Sequence, residues 1–260
     1  MTPSADLSVD LSGKHALVTG GGTGVGAIIA QMLAGAGAFV TITGRRAEPL
    51  NIIAATSDRI FADPCDVTDP AALKDMISRT ATDRGGLSIV IANAGAASSS
   101  PFAQMTQDHW QQTLAVNLGG VFNSYQAALP HMDTARYGRL IAIASTAGIK
   151  GYPYVTDYCA AKHGVIGLTR ALALELAATQ VTVNAICPGF TETPLLERSI
   201  DTIMTKTGMD QDAARRALMR SNPQARFIQP EEIAQSVLWL CANASASITG
   251  QAISISGGEI

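Results

Sequence analysis

Seven short runs rich in Val, Ile, Ala and Thr recur along the chain, at 15–19 (HALVT), 38–43 (AFVTIT), 59–66 (RIFADPCD), 88–93 (SIVIAN), 139–145 (RLIAIAS), 181–187 (VTVNAIC) and 252–256 (AISIS). Most are apolar nearly throughout rather than alternating, so neither face of the sheet they form can lie against water. Helical patterns fill the gaps at 24–36, 69–83, 109–132, 156–177 and 230–242. Strands covered on both faces and joined by helical crossovers predict an α/β fold, a doubly wound parallel sheet of Rossmann type with about seven strands. Its ligands are expected at the strand carboxyl ends. One segment, from Phe190 to about Gln229, falls outside the alternation and is rich in Thr, Met, Arg and Asp. It is expected to be a helical insertion over the site, within a single domain spanning 1–260.

A chain of 260 residues with 47% hydrophobic and 15% charged residues has the means to bury a sizeable core. A formal charge of −3 offers no footprint for nucleic acid or an anionic membrane. Cys65, Cys159, Cys187 and Cys241 form no C-x-x-C pair, which leaves buried free thiols in a reducing compartment as the expectation. His15, His109, His131 and His163 share no ligand spacing, so no role is given to them and no metal is expected. The opening MTPSADLSVD lacks the basic-then-apolar pattern of a secretory signal. Charge-free stretches such as WQQTLAVNLGGVFNSYQAALP are studded with Gln and Asn, so no membrane span is expected and the protein is read as cytoplasmic.

TGGGTGVG, residues 19–26, follows the first predicted strand and opens a helix. A glycine-rich turn there lets backbone approach a pyrophosphate, whose charge the helix N-terminus favours. Gly20, Gly24 and Gly26 depart from G-x-G-x-x-G and read as T-G-x-x-x-G-x-G. In YCAAK, Tyr158 and Lys162 stand at i and i+4, on one helix face with Cβ atoms roughly 6 Å apart. A free phenol titrates near about 10, and a cation one turn away favours its ionised form.

The glycine spacing and the Tyr158-x-x-x-Lys162 pair together resemble the short-chain dehydrogenase/reductase family. Further marks follow in order: IANAG at 91–95, Asn117 in AVNLGG, Ser145 ending a strand, and CPGFTETP at 187–194. Ala92 stands where the family's N-N-A-G has its first Asn. The resemblance runs from Leu11 to Gly258 and implies hydride transfer between a nicotinamide nucleotide and a carbonyl or secondary alcohol. It implies Tyr158 as general acid or base, Lys162 on the phenol and the nicotinamide ribose, Ser145 as donor to the substrate oxygen, and Asn117 holding a relay water. For the nucleotide it implies Gly20, Thr23, Gly24, Val25, Gly26, Asp66 and Val67 beside the adenine, Asn93, Gly95, Pro188, Gly189, Thr191 and Thr193. It implies also a homotetramer, built on the apolar surplus of the helices around 116–132 and 158–177.

At the end of the second strand, FVTITGRRAEPL puts Gly44 where an acidic residue would favour NAD, followed by Arg45 and Arg46. A guanidinium at Arg45 suits a 2′-phosphate, so NADP(H) is favoured with NAD(H) as the alternative. The alternative reading of the arginines is that they start the next helix and face solvent. The expected substrate wall is Ser145, Thr146, Ala147, Tyr152, Tyr154, Tyr158, Phe190 and Leu195, mostly apolar or aromatic. RLIAIASTAGIKG and its neighbours resemble 3-oxoacyl-thioester reductases and polyketide ketoreductases, which points to a 3-oxoacyl or 3-hydroxyacyl thioester. The absence of Arg or Lys in ELAATQ leaves a free cyclic or aromatic ketone or alcohol open, and an idle nucleotide sensor or scaffold is the reading of another class.

Overall fold

A computed structural model describes residues 9–260; the reading of the opening segment falls largely on 1–8 and lies outside the described residues. Seven strands form one sheet: β1 His15–Thr19, β2 Phe39–Thr43, β3 Ile60–Ala62, β4 Ile89–Ala92, β5 Gly138–Ile143, β6 Val181–Pro188 and β7 Ala252–Ile255. Their spatial order is β3-β2-β1-β4-β5-β6-β7 and every pairing is parallel. The order reverses between β1 and β4, so the connections leaving these two strands diverge and open a crevice at their carboxyl ends.

Residues along a strand feed two separate cores. Ala16, Val18, Val40, Ile42, Ile89 and Ile91 face α1 (Gly24–Gly35) and α9 (Pro230–Cys241). Leu17, Val90, Leu140, Ala142 and Val183 face α3 (Pro70–Arg84), α5 (Gly120–Ala128) and α6 (Thr156–Glu175). Both faces are dry, which is why the strands read as nearly unbroken apolar runs.

Three elements differ from the sequence expectation. The third strand, expected over 59–66, spans Ile60–Ala62, although Asp63 N and Cys65 N still donate to Ile42 O and Gly44 O, at 3.0 and 3.1 Å, with Pro64 on the free edge between them. Residues Ala47–Ala54 form a helix, α2, that the strand-and-helix reading left out. The helix expected over 109–132 is divided into α4 (Gln107–Leu114), a π-turn at Ala115–Gly119, α5, and a 3₁₀ turn at Leu129–His131 containing Pro130. Within the segment 190–229 lie α7 (Pro194–Thr207) and α8 (Gln211–Met219), with a small core of Leu196, Ile200, Ala214 and Phe227. Sequence explains the ends of α7: Thr193 caps it by accepting from Leu196 N, Pro194 opens it, and Gly208 at φ +73° closes it. No helix among the described residues is long and apolar enough to cross a membrane.

Candidate active site

A cavity of about 240 Å³ opens at the carboxyl ends of β1, β4, β5 and β6. The glycine turn supplies its floor. Gly20 and Gly24 take φ of +66° and +56°, a region that side chains rarely adopt. Thr23 precedes α1 without a side-chain cap bond, and the first turn of α1 holds no acidic residue, so the helix N-terminus is presented to the cavity. That combination fits a pyrophosphate. Gly26 does a different job: a Cβ there would collide with Gly20 O and Asn93 Nδ2, so this glycine seats helix against strand. Asn93 ties the turn to β4, donating from Nδ2 to Thr19 O at 2.9 Å and Gly20 O at 3.2 Å. Thr19 Oγ1 accepts from Asn93 N and Ala94 N, a supporting role that sequence reading missed.

Of the expected nucleotide residues, Gly20, Thr23, Gly24, Val25, Asn93, Gly95, Tyr158, Lys162, Pro188, Gly189, Thr191 and Thr193 line this cavity. Gly26, Arg45, Asp66 and Val67 do not. Arg45 is exposed just beyond β2, and Arg46 occupies the position before α2, as the solvent-facing reading had it. Asp66 closes a turn on Thr68, through N at 2.9 Å and Oγ1 at 2.8 Å, and Val67 O accepts from Asn123 Nδ2.

Ser145, Tyr158 and Lys162 converge on the same wall. Ser145 ends the β5 connection, where its Oγ accepts from Ala147 N at 3.1 Å. Lys162 is 3% exposed; its Nζ donates to Ile143 O at 2.8 Å and stands 5.6 Å from the centroid of the Tyr158 ring. Burial brings the Lys162 ammonium down to about 8 and pushes the Tyr158 phenol up to about 12, with the Ser145 hydroxyl opposing the latter. The sequence argument gave the cation the larger influence on the phenol. In this geometry desolvation outweighs it, because the ammonium is turned onto a backbone carbonyl.

Asn117 sits in the π-turn rather than on the cavity wall and is fully buried. Its Nδ2 donates to Ala96 O at 2.8 Å and Thr113 O at 3.0 Å, while its Oδ1 accepts from Ala96 N at 3.2 Å. It therefore ties the distorted helix to the loop after β4. Asp157, beside the tyrosine and fully buried, accepts from Thr113 Oγ1 at 2.6 Å and faces His109 Nε2 at 3.1 Å. His109 thus anchors the start of α6, a place given to no histidine by the sequence reading.

Of the expected substrate wall, Ser145, Tyr158 and Leu195 reach the cavity. Thr146 and Ala147 are buried behind it, and Tyr152 packs edge-on to Phe190 with centroids 6.2 Å apart. Tyr154 is 62% exposed and strained at φ +67°. Arg198 of α7 also lines the cavity; its helix position carried no motif that would have singled it out. All four cysteines are free, but only Cys187 and Cys241 are buried.

An open crevice at the switch point of a doubly wound sheet, with a glycine cradle on one side and a phenol beside a buried ammonium on the other, defines a dinucleotide-dependent enzyme. The description "short chain dehydrogenase" matches residues 14–203. A D-beta-hydroxybutyrate dehydrogenase of Rhizobium meliloti (strain 1021) is 35% identical over 252 residues, covering 94% of this chain and 98% of that protein. A 3-oxoacyl-acyl-carrier-protein reductase of Thermotoga maritima is 35% identical, covering 96% and 99%. A solved actinorhodin polyketide ketoreductase variant with NADPH superposes with a TM-score of 0.90 at 31% identity, covering 95% and 97%. The chain belongs to the short chain dehydrogenase family and is an oxidoreductase that uses a nicotinamide nucleotide on ketone or CH–OH groups.

Proposed function

We propose that this protein reduces the ketone of a 3-oxoacyl thioester with NADPH, Tyr158 delivering the proton. The observation that carries the reading is the convergence of Ser145, Tyr158 and Lys162 on one wall of the crevice that the glycine turn borders. Burial keeps the phenol protonated at neutral pH, the form that donates in reduction. Ser145 would donate to the substrate oxygen, and Lys162 would hold the nucleotide ribose when the nucleotide is bound. Asn117 acts one step back, fixing the 94–96 backbone that borders the crevice. A bound reduced nicotinamide supplies the hydride. The domain acts as one unit in the cytoplasm, with α7 and α8 as the cover over the substrate, Leu195 on its wall, Phe190, Tyr152 and Tyr154 around it, and Thr146 and Ala147 supporting it from behind. NADPH consumption with acetoacetyl-CoA against a panel of free cyclic ketones tests this. Turnover confined to the free ketones would discard the thioester.

The free-ketone reading keeps one specific support: α6 has no basic residue in its last turn to meet an acidic carrier.

NADP(H) is favoured because Arg45 and Arg46 follow Gly44 with no carboxylate between β2 and the helix. At Gly44 a Cβ would meet only Leu50 Cδ2, at 3.9 Å, so an aspartate is accommodated there. Arg45→Ala is expected to raise the KM for NADPH by roughly tenfold to a hundredfold, the value of one charge-assisted contact, and to leave that for NADH nearly unchanged. Adding Gly44→Asp should invert the preference, since the new carboxylate repels the phosphate and accepts from a 2′-hydroxyl. Arg46→Ala is the control and should matter less. A preference for NADH in the unmodified protein would refute the assignment.

Assembly is proposed as a homotetramer. Phe122 of α5 is 48% exposed and Leu174 of α6 is 80% exposed, apolar surface on the helices that cover one face of the sheet. Light scattering at micromolar concentration is expected to give four copies, with a dimer as second choice; monomer alone would contradict it.

A further inference from the structure

Behind the substrate wall lies a carboxylate from the far end of the chain. After β7 the backbone turns at Gly257 and Gly258, with φ of +64° and +93°. A Cβ on Gly257 would collide with the Asn222 side chain, which itself braces the turn after α8 by donating to Arg226 O and accepting from Gln224 N, each at 2.8 Å. This turn delivers Glu259 inward, and its side chain is 1% exposed. Oε1 accepts from the Tyr152 hydroxyl at 2.5 Å and from Lys150 Nζ at 2.7 Å. Thr146 Oγ1 lies 2.7 Å from the same phenol oxygen. The Ser221 hydroxyl, just beyond α8, and the Lys150 ammonium both favour the charged form of this carboxylate against its burial. One buried group thus joins the tail to the 146–152 segment, while Gly257 seats the same tail against Asn222 beyond α8.

We infer that Glu259 is a positioning residue for substrate: it fixes Tyr152, and through it Phe190, and ties the tail that Gly257 seats on Asn222 to the 146–152 segment. Its bonded partners, Tyr152 and Lys150, lie outside the 19–26 turn and the Tyr158–Lys162 pair, so its effect should fall first on substrate acceptance, although Oε2 also borders Gly189, 3.3 Å from where a Cβ there would stand. The inference rests on the proposed substrate wall. A carboxylate that merely stapled the fold would lower stability everywhere and leave substrate KM alone.

The test uses Glu259→Gln, which keeps shape and removes charge, and Tyr152→Phe, which keeps the ring and removes its bond to the carboxylate. With NADPH saturating, each is expected to raise the KM for acetoacetyl-CoA about tenfold, the value of one charge-assisted hydrogen bond, with kcat and the Kd for NADPH within about twofold. In the NADPH complex without substrate, amide hydrogen exchange at 146–154 and 219–226 should quicken about tenfold while β1 and α1 stay unchanged. Unchanged KM, or exchange that rises uniformly with a lower Tm, overturns the inference. If the unmodified protein reduces no ketone, the carbonyl reading fails by itself, and the localised exchange response then decides the role of Glu259.

Discussion

Tyr158→Phe is expected to lower turnover by about 10²–10⁴-fold, the usual worth of a positioned general acid. The ring remains to fill its place on α6, and only the hydroxyl facing Ser145 is lost. The Kd for NADPH, read by fluorescence titration, should therefore change little, and Tm should hold. Because the phenol titrates near 12, the reduction rate of the unmodified protein should show no alkaline loss from this group until pH approaches that value. A Phe variant that kept a tenth or more of the activity would remove Tyr158 from the proton path.

Lys162→Met should damage both binding and turnover. Removing the buried cation proposed to hold the nucleotide ribose is expected to cost a hundredfold or more in kcat/KM, about two charge-assisted contacts at 1.5–3 kcal/mol each. The pH dependence is specific. The ammonium, brought down to about 8 by burial, loses its proton as pH rises through that value, so NADPH affinity should fall across it in the unmodified protein and stay flat in the Met variant. Stability runs the other way. The folded pKa lies below the ordinary 10.5, so the unfolded chain binds more protons between the two values and burial costs stability at and below pH 8. The Met variant is expected to have a Tm at pH 7 no lower than the parent, which separates lost function from lost fold. A flat affinity profile in the parent would contradict the lysine assignment.

How far sequence carried the account differs by element. All seven strands appear where apolar runs stand, because a strand dry on both faces can be written in few other ways. The glycine turn, Ser145, Tyr158 and Lys162 were legible because their spacing is local to a turn, a strand end or a helix face. The π-turn at Asn117 falls inside the helix expected over 109–132, since it is held by a pair of bonds to Ala96 across the loop after β4. The helix Ala47–Ala54 surfaced only in the alternative reading of Arg45 and Arg46, because its octet contains Pro49 in the first turn and a single buried residue, Leu50. Glu259 offered no signal at all: its burial depends on two left-handed glycines and on partners 107 and 109 positions away along the chain. Arg198 was equally silent, because a charged residue on an amphipathic helix reads as solvated until the cavity beside it is seen.

The central claim is direct hydride delivery to a substrate carbon in this crevice, with the proton supplied by the chain. It is tested most directly by incubating the protein with acetoacetyl-CoA and NADPH deuterated at the transferring position of the nicotinamide, then weighing the product. The account predicts one deuterium, bonded to the new carbinol carbon, per nucleotide consumed. Nucleotide consumed with no deuterium in the product, or no consumption with acetoacetyl-CoA or any free ketone, would contradict it.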